Sequence, residues 1–596
     1  MMENKYIIGI DLGTTNCTLS YALANEDEAE IKLFPLTQYV KKDLKAQNHL
    51  LPSFLYFPLD NELSDELVIG SYAKLRGSEV PTRLVSSTKS WLCHSGIDRR
   101  EPFLPLEADE NIQKISPLQG TYHLLQFLKN AWNESFSEIF NEQQVLITVP
   151  ASFDPQARQL VLEAAKMADY PEITLLEEPQ AAFYAWLNEK KEDWRKKVKV
   201  GDSIVVIDIG GGTTDFSLIQ VEDEDGNLTL NRKAVGNHLL LGGDNIDYAL
   251  AYFAKNKLEE NGHTISEWQT QSLVHHCRLA KEQFFGDNPP QTIDITIQGR
   301  GSRLIGNSLK VTLELDEIEK IIIDGFFPNI KPWERSKVEK RLGLQHLGLP
   351  FAQDPRITSQ LAKFLSMTGE SDSETMDLFE MPSAILFNGG TLKATAFQER
   401  LVEVMNGWAE QLHKKPIQVL DGLDLDFAVS RGAVCYGLAR QGKAIRIKSG
   451  TSRSYYLGIE EARPAIPGLA TPLRAICIVP FGCEEGSELE LSSHDFVLVI
   501  GETALFRFFS HSTKKLSNGE EPVVGTVVKN WAKELTEHHP LEVALNRGEN
   551  DGKTVRVKIK SKVSELGFIE IYCISNDERE WKLEFDIRKV EAVAKN

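Results

Sequence analysis

Two short turns in the sequence combine residue types that suit a phosphorylated ligand. In each turn a β-branched strand leads to an aspartate, Asp11 or Asp208, followed by glycines and threonines. Glycine has no Cβ, so the backbone can approach an anion closely and adopt a positive φ. Consecutive backbone N–H groups and hydroxyls can then form an anion nest, and the aspartate can hold Mg²⁺ against phosphate oxygens, directly or through water. The turn residues are Gly13, Thr14 and Thr15, and Gly210, Gly211, Gly212, Thr213 and Thr214.

The two turns lie in similar segments. Residues 6–23 read YIIGIDLGTTNCTLSYAL, and residues 203–221 read SIVVIDIGGGTTDFSLIQV. Each segment predicts a strand, a turn and a second strand, with the aspartate in the same place. The glycine spacing differs from both the P-loop and the Rossmann fingerprint. We therefore expect two related α/β halves, each opening with a hairpin.

Length, composition and charge restrict the class of protein. At about 150 residues per domain, 596 residues correspond to roughly four domain-sized units. The net charge of −20 argues against nucleic-acid or anionic membrane partners, and no apolar run approaches the ~18 residues of a membrane span. The seven scattered cysteines include no Cys-x-x-Cys pair. This pattern argues against a disulfide framework and against a structural zinc site. Because no signal peptide is visible either, we expect a cytoplasmic location.

Local signals predict how three helices begin. Asp154 can cap a helix that has Pro155 at its first position. Asp316 can cap another helix, with Glu319 completing a capping box. Glu178 ends an extended stretch immediately before Pro179. Its carboxylate is therefore expected at a strand–helix junction, where site residues of α/β folds are common.

Four motifs occur in a characteristic order: IGIDLGTTN (8–16), IDIGGGTTD (207–215), LLLGGDNID (239–247) and LFNGGT (386–391). Together they resemble the nucleotide-binding domain of the heat-shock-70 (DnaK-type) chaperone family. The resemblance implies an α/β, actin-like duplicated ATPase fold of two lobes, followed by a C-terminal all-β domain. The implied boundaries are 1–440 for the ATPase domain, with an insertion at about 331–383, 441–456 for a linker, and 457–596 for a β-sandwich-like domain that binds substrate or a partner.

The resemblance also implies ligands and residue roles. ATP or ADP would bind with Mg²⁺ between the two hairpins, and ATP would be hydrolysed slowly. Asp11 and Asp208 would hold the waters of Mg²⁺. The catalytic residues would be Lys74, beside the attacking water, together with Glu178, Asp208 and Asp215. The nucleotide contacts would be Gly13, Thr14, Thr15, Gly210, Gly211, Gly212, Thr213, Gly242, Gly243, Asp244, Lys281, Gly389, Gly390 and Asp426.

The sequence departs from the family pattern at the adenine site. The family's Glu-x-x-Lys-Arg reads Arg278-Leu279-Ala280-Lys281-Glu282, so the arginine that stacks on adenine is missing. The later Gly-Gly-Ser-Thr-Arg reads 389–393 as GGTLK. We therefore expect intact phosphate chemistry with weak selection for adenine.

The C-terminal part departs as well. From about Leu457 the sequence alternates as strands do, and residues 581–593 read as a strand and a short tail in place of the family's helical lid. The stretch 440–453 is basic and polar, whereas the family's linker is acidic with a leucine run. The leading expectation is a lidless DnaK-like chaperone that binds unfolded polypeptide or a dedicated partner, with a co-chaperone as a further candidate partner. The alternatives are a non-chaperone, exchange-factor-like clamp on one partner and a small-molecule kinase of the same fold.

Overall fold

A computed structural model describes residues 5–586 of the chain. The description leaves out residues 27–28, 61, 64–65, 95, 107, 109–111, 154, 225–226, 237–238, 287, 300–307, 337–348, 350, 368–378, 442–450, 452, 461–471, 484–486, 502, 512–515, 517–518, 539–540, 545–553, 564–567 and 578. The chain forms two compact units. The first comprises 1–153, 157–223 and 235–446, and the second comprises 154–156, 224–234 and 447–596. Within the described part, no helix is both long and apolar enough to cross a bilayer.

The first sheet of the first unit is built around the strand Tyr6–Leu12. This strand pairs antiparallel with Asn16–Leu23, which together with it forms the first hairpin. On its other side it pairs in parallel with Gln144–Val149, which pairs in parallel with Ile173–Glu177. The apolar side chains of Tyr6–Leu12 are almost all buried, as expected for a central strand covered on both faces.

The second sheet of the first unit repeats this arrangement. Ser203–Ile209 pairs antiparallel with Thr214–Glu224, and the two form the second hairpin. Ser203–Ile209 also pairs in parallel with Ala384–Asn388, which pairs with Gln418–Val419. All seven residues of Ser203–Ile209 are buried. The two related halves predicted from the repeated segments are therefore present as two sheets with the same strand connections.

Each outer parallel strand leads into a helix. The four helices are Pro155–Met167, Glu178–Lys190, Thr395–Gln411 and Ala428–Arg440. The helix at Pro155 begins where the sequence predicts, although Asp154 lies outside the described residues. Glu178 opens its helix directly after a strand that ends at Glu177, which confirms the predicted junction.

One helix start differs from the prediction. The helix Leu315–Glu319 has Glu314 at its N-cap, so the expected cap at Asp316 is wrong. Asp316 lies in the first turn instead, where an acidic side chain interacts favourably with the helix dipole.

The remaining helices and strands of this part of the chain lie in the first unit, except that Asn227–Val235 belongs to the second unit up to residue 234. The strands are Lys32–Leu33, Leu36–Lys41, Leu44–Asn48, Leu51–Pro52, Leu55–Tyr56, Val68–Ile69, Leu84–Val85, Asn227–Val235, Thr292–Ile297 and Leu309–Glu314. The α-helices are Ser71–Glu79, Thr88–Leu92, Pro117–Ser135, Trp194–Lys197, Gly243–Glu260, Glu267–Phe284 and Ile357–Met367. Short 3₁₀ turns lie at Pro81–Arg83, Phe140–Glu142, Lys191–Asp193 and Gly390–Lys393, and a π turn lies at Lys320–Asp324.

The helix Ile357–Met367 lies inside the segment 331–383 that the sequence marks as an insertion. Its side chains Ile357, Leu361 and Leu365 are fully buried, and Phe364 stacks on Phe216 with ring centroids 5.7 Å apart. This part of the segment therefore contributes to the core of the first unit, while much of its basic and acidic pieces lies outside the described residues.

The second unit consists mainly of strands. One sheet has the order Val527–Val528, Leu473–Val479, Ser454–Glu460, Phe508–His511 and Thr536–Glu537. A second has the order Glu488–Val499, Thr554–Val563, Phe568–Ser575 and Glu580–Asp586. Thr503–Phe506 pairs with Leu541–Ala544, and Trp531–Glu534 is a short helix. Side chains from both larger sheets, including Leu457, Ile478, Ile559 and Ile571, share one core. The stretches SELELS (487–492) and DFVLVIG (495–501) each have the pattern of a separate strand, but most of both lies in the single strand Glu488–Val499.

Two of the helices that follow the sheets cross at a glycine. A Cβ atom on Gly432, in Ala428–Arg440, would lie 1.7 Å from the carbonyl oxygen of Ala181, in Glu178–Lys190. Gly407, in Thr395–Gln411, has open space around the same position. The first helix pair therefore requires glycine at its crossing, whereas Gly407 is not packed against a neighbour.

We predict that Gly432→Ala lowers the free energy of unfolding by about 2 kcal/mol, because the added methyl forces the two helices apart. Gly407→Ala is the matched control and should leave stability unchanged or raise it by up to ~1 kcal/mol. Urea denaturation of both variants measures the difference. Equal stability of Gly432→Ala and wild type would contradict the tight crossing.

Candidate functional site

The turns of both hairpins open into one cavity of about 620 Å³ in the first unit. Most of the predicted site residues line it: Asp11, Gly13, Thr14, Thr15, Lys74, Glu178, Asp208, Gly210, Gly211, Thr213, Gly243, Asp244, Lys281, Gly389, Gly390 and Asp426. Three predicted residues, Gly212, Gly242 and Asp215, are not part of the lining. The sequence motifs therefore converge on one cavity, although they are far apart in the chain.

The two turns touch each other at the cavity. A Cβ on Gly211 would lie 1.9 Å from the Thr15 hydroxyl oxygen, so only glycine lets the second turn come this close to the first. The predicted positive φ is wrong for Gly13, Gly210, Gly211 and Gly212, none of which has one. The cavity glycine with a positive φ, of 89°, is Gly389. The turn glycines thus allow the two turns to approach each other closely, and they do not adopt a left-handed backbone conformation.

The two aspartates occupy equivalent places in the two sheets. Asp11 is paired in register with Thr148, whose hydroxyl donates to it at 3.4 Å. Asp208 is paired with Asn388, whose side-chain amide donates to it at 2.6 Å. Both carboxylates end a central strand and face the same cavity, so the repeated topology brings them together.

Burial and crowding change the acidity of these groups. Burial raises the pKa of Asp11 to about 7, and the negative charge of Glu178 adds to the effect. The pKa of Asp208 is raised well above its usual value by the same two causes. Negative oxygens held close together in this way are suited to a hard cation such as Mg²⁺. Within the described ranges no three acidic, His or Cys side chains converge as direct ligands, so Mg²⁺ here would need waters and phosphate oxygens to complete its shell.

A buried lysine lies among these carboxylates. Lys89, in the helix Thr88–Leu92, forms an ion pair with Glu178. Burial opposes its charge, but Glu178 and Asp11 raise the pKa of Lys89 above its ordinary value. Lys89 is therefore a fixed positive charge at the point where the strand ends meet. Its surroundings in the sequence, SSTKSW, contain no motif that predicts this position.

Lys74 lines another part of the cavity wall. It belongs to the helix Ser71–Glu79. Burial lowers the pKa of Lys74, and the negative charge of Glu282 partly offsets this effect. Its other charged neighbours are Arg278, Asp247 and Lys281. The lysine that forms an ion pair with Glu178 is Lys89, and the role beside the attacking water expected for Lys74 stays a prediction.

Lys74 borders a charge cluster centred on Asp247, whose side chain is fully buried. Arg278 Nε donates to Asp247 at 2.6 Å, and Arg278 Nη2 donates to Asp244 at 2.6 Å. Lys281 Nζ lies 2.7 Å from the other Asp247 oxygen and donates to the Gly243 carbonyl at 3.2 Å. The cluster fixes the helix Glu267–Phe284 against the helix Gly243–Glu260, with Lys281 directed to the N-terminus of the latter.

The three predicted residues outside the lining have other contacts. Asp215 accepts a hydrogen bond from the Ser152 hydroxyl. A Cβ on Gly212 would lie 2.7 Å from the Ser90 hydroxyl oxygen, beside Lys89. The backbone N–H of Gly242 donates to Asn245 at 2.9 Å and caps the helix that follows. These residues support the turns and do not face the cavity.

Several lining residues were not predicted. Besides Lys89, they include Asn388, Thr391, Lys393, Phe285 and Phe397. Lys393 pairs with Asp426 at 2.7 Å, and the Thr391 hydroxyl donates to the Gly210 carbonyl at 2.9 Å. Asn388 has a signal that could have revealed it, because it ends a buried strand in the motif LFNGGT, as Asp208 does in its own.

The first unit has two related sheets, each with an aspartate at the end of its central strand, and the two aspartates share one cavity. This arrangement is typical of a two-lobed nucleotide-binding unit. A family model described as "Hsp70 protein" matches residues 7–336, more than half of the chain. The chain therefore belongs to the Hsp70 family, whose members are ATPases with a two-lobed, actin-like ATPase domain.

Curated relatives are chaperones of this family. The chaperone protein HscA homolog of Pseudoalteromonas atlantica is 26% identical over 376 residues, which are 57% of this chain and 55% of that protein. The HscA homolog of Acinetobacter baylyi is 26% identical over 349 residues, 54% of this chain and 52% of that protein. The chaperone protein DnaK of Psychrobacter cryohalolentis is 28% identical over 262 residues, 41% of this chain and 36% of that protein. The chain thus spans about half the length, or less, of these relatives.

Proposed function

We propose that the protein is an ATP-hydrolysing chaperone that binds Mg²⁺ and ATP or ADP in the described cavity. The observation that carries this proposal is the Lys89–Glu178 ion pair beside Asp11 and Asp208, at a cavity lined by both glycine–threonine turns. Phosphate chemistry needs anion donors, oxygen ligands for a metal and a fixed positive charge. The cavity brings these groups together.

In this proposal, some residues of the cavity contact the phosphates and others hold the metal. Thr14, Thr15 and Thr213 offer hydroxyls and backbone N–H groups to phosphate oxygens from the two turns. Asp11 and Asp208 would hold Mg²⁺ through its waters, and the metal would neutralise charge on the phosphates. Burial and, after it, the negative charge of Glu178 raise the pKa values of both aspartates, and a cation would relieve the charge crowding.

Hydrolysis requires a water placed in line with the terminal phosphate. The ammonium group of Lys89 has three N–H donors, and Glu178 accepts one of them. We assign the remaining donors to the attacking water and to the phosphoryl oxygens, where negative charge develops. Glu178 holds Lys89 in place and can accept a hydrogen bond from the same water.

We predict that Lys89→Ala lowers the single-turnover rate of ATP hydrolysis by at least ~100-fold, the scale of one electrostatic contact in a transition state. Lys74→Ala is the matched control, because it removes a lysine from the same cavity but not from the strand ends. Its rate should stay within about fivefold of wild type, a change of roughly 1 kcal/mol in the barrier.

Lys89→Arg separates chemistry from folding, because it keeps the buried charge but cannot keep the ammonium geometry. This variant should bind nucleotide and hydrolyse it slowly. A large loss in Lys74→Ala with little loss in either Lys89 variant would contradict the assignment and return the catalytic role to Lys74.

We further propose that the second unit binds extended polypeptide segments and that nucleotide controls their release. Family membership supports the chaperone role. In the described part of the unit, Thr503–Phe506 pairs with Leu541–Ala544 as a separate two-stranded sheet, and the Leu505 side chain is 55% exposed. Such strands can accept an added strand through main-chain hydrogen bonds and contact its apolar side chains.

We predict that a fluorescent apolar peptide dissociates faster from the full chain with ATP than with ADP. Asp208→Asn is the control, since weak binding of Mg-nucleotide should make its two rates equal. Stopped-flow displacement measures them. Failure to bind peptide with either nucleotide, in protein that hydrolyses ATP, would contradict the chaperone proposal and favour a regulator with one dedicated protein partner.

A further inference from the structure

One part of the cavity wall has no role in the phosphate chemistry described above. It begins at Lys281, whose ammonium donates to the Gly243 carbonyl, and continues to Phe285, the residue that directly follows the helix Glu267–Phe284. Both side chains line the cavity. Phe285 therefore borders the cavity at the C-terminal end of the helix that carries Lys281.

The Phe285 ring is held by two other rings. Its centroid is 4.7 Å from that of Phe397, and Phe397 stacks on Phe327 at 4.9 Å with an angle of 23°. Phe397 and Phe327 are buried, whereas Phe285 is partly exposed. The ring thus has a rigid support on one side and borders the cavity on another.

Small residues border the same cavity. Gly389 and Gly390 are part of its lining, and a Cβ on Gly390 would meet no atom within 4 Å. The lining also contains Glu282 and the Lys393–Asp426 ion pair. A supported aromatic ring in a cavity wall that also contains glycines suits a flat aromatic group of a ligand, because such groups gain from stacked contacts.

We infer that Phe285 is the residue on which the nucleotide base stacks, and that this stacking accepts adenine and guanine alike. The inference rests on the proposed nucleotide function of the cavity. Every base has an aromatic face, so stacking gives affinity with little selection among bases. Three cationic side chains of the lining are engaged by carboxylates: Arg278 is bonded to Asp244 and Asp247, Lys281 is paired with Asp247, and Lys393 is paired with Asp426.

The experiment compares Mg-ATP, Mg-GTP and magnesium tripolyphosphate, which has the phosphates without the base. Wild-type protein should bind both nucleotides more tightly than tripolyphosphate and within about tenfold of each other. Phe285→Ala should weaken ATP and GTP by ~10- to 100-fold, the effect of one lost stacking contact. Tripolyphosphate affinity should change by less than about twofold, since phosphate contacts are separate from stacking.

Two further variants serve as controls, one for apolar packing at Phe285 and one for the loss of an aromatic ring elsewhere. Phe285→Leu preserves apolar packing against Phe397 but has no aromatic face, so it should behave like Phe285→Ala. Tyr252→Ala removes a ring that is 57% exposed on the helix Gly243–Glu260 and is not part of the cavity lining, so it should change nothing.

The possible failures are distinguishable. If tripolyphosphate and both nucleotides fail to bind wild-type protein, the proposed function itself is contradicted. If all three bind, and Phe285→Ala and Phe285→Leu leave the ratio of ATP to tripolyphosphate affinity unchanged, the inference about Phe285 is overturned while the proposed function stands. A preference for ATP over GTP beyond about 1,000-fold would also overturn it, because stacking alone does not give such selection.

Discussion

The candidate site depends on one electrostatic arrangement: a buried lysine among buried carboxylates. Lys89 compensates Glu178, with which it forms an ion pair, and interacts favourably with Asp11 and Asp208. Removing a partner from a buried ion pair is costly, because the remaining charge has no compensation. The compensation is also incomplete, since one ammonium faces three carboxyl groups and the pKa values of Asp11 and Asp208 are raised. A site with this excess of negative charge is prepared for a further cation.

The repeated topology is what allows this arrangement. Each half places an aspartate at the end of a central strand, in register with a hydrogen-bond donor on the neighbouring parallel strand, Thr148 or Asn388. The contact of Thr15 with Gly211 then fixes the distance between the turns. On another part of the wall, Asp247 holds Arg278 and Lys281. The cavity therefore has separate charge systems for its strand ends and for the helix that precedes Phe285.

The sequence predicts the features that depend on local pattern. The two hairpins, the strand-end aspartates and the junction at Glu178 are each specified by residues that are neighbours in the chain. The lysine that pairs with Glu178 could not be predicted in this way, because a lysine reaches Glu178 only through tertiary packing. Lys89 does so from a short helix whose sequence contains no motif, whereas the role of Lys74 was predicted from the resemblance alone. Phe285 was missed for a similar reason: its ring is supported by Phe397 and Phe327, which are distant in sequence.

Other differences have local physical causes. The cap predicted at Asp316 lies two residues earlier, at Glu314, because the helix begins at Leu315. The glycines of the turns were expected to allow a positive φ and a close approach, and the structure uses their lack of a side chain for contact between the turns. Linker residues 442–450 lie outside the described part, so the linker remains a prediction from sequence.

Calorimetric titration of ATP into wild-type protein and Asp208→Asn, each with and without Mg²⁺, tests the central claim most directly. The account predicts that Mg²⁺ strengthens nucleotide binding to the wild type and that the variant loses most of this dependence, since Asp208 is one of the two carboxylates assigned to the metal. Equal Mg-ATP affinity in the two proteins would contradict a metal–nucleotide site at the ends of these strands.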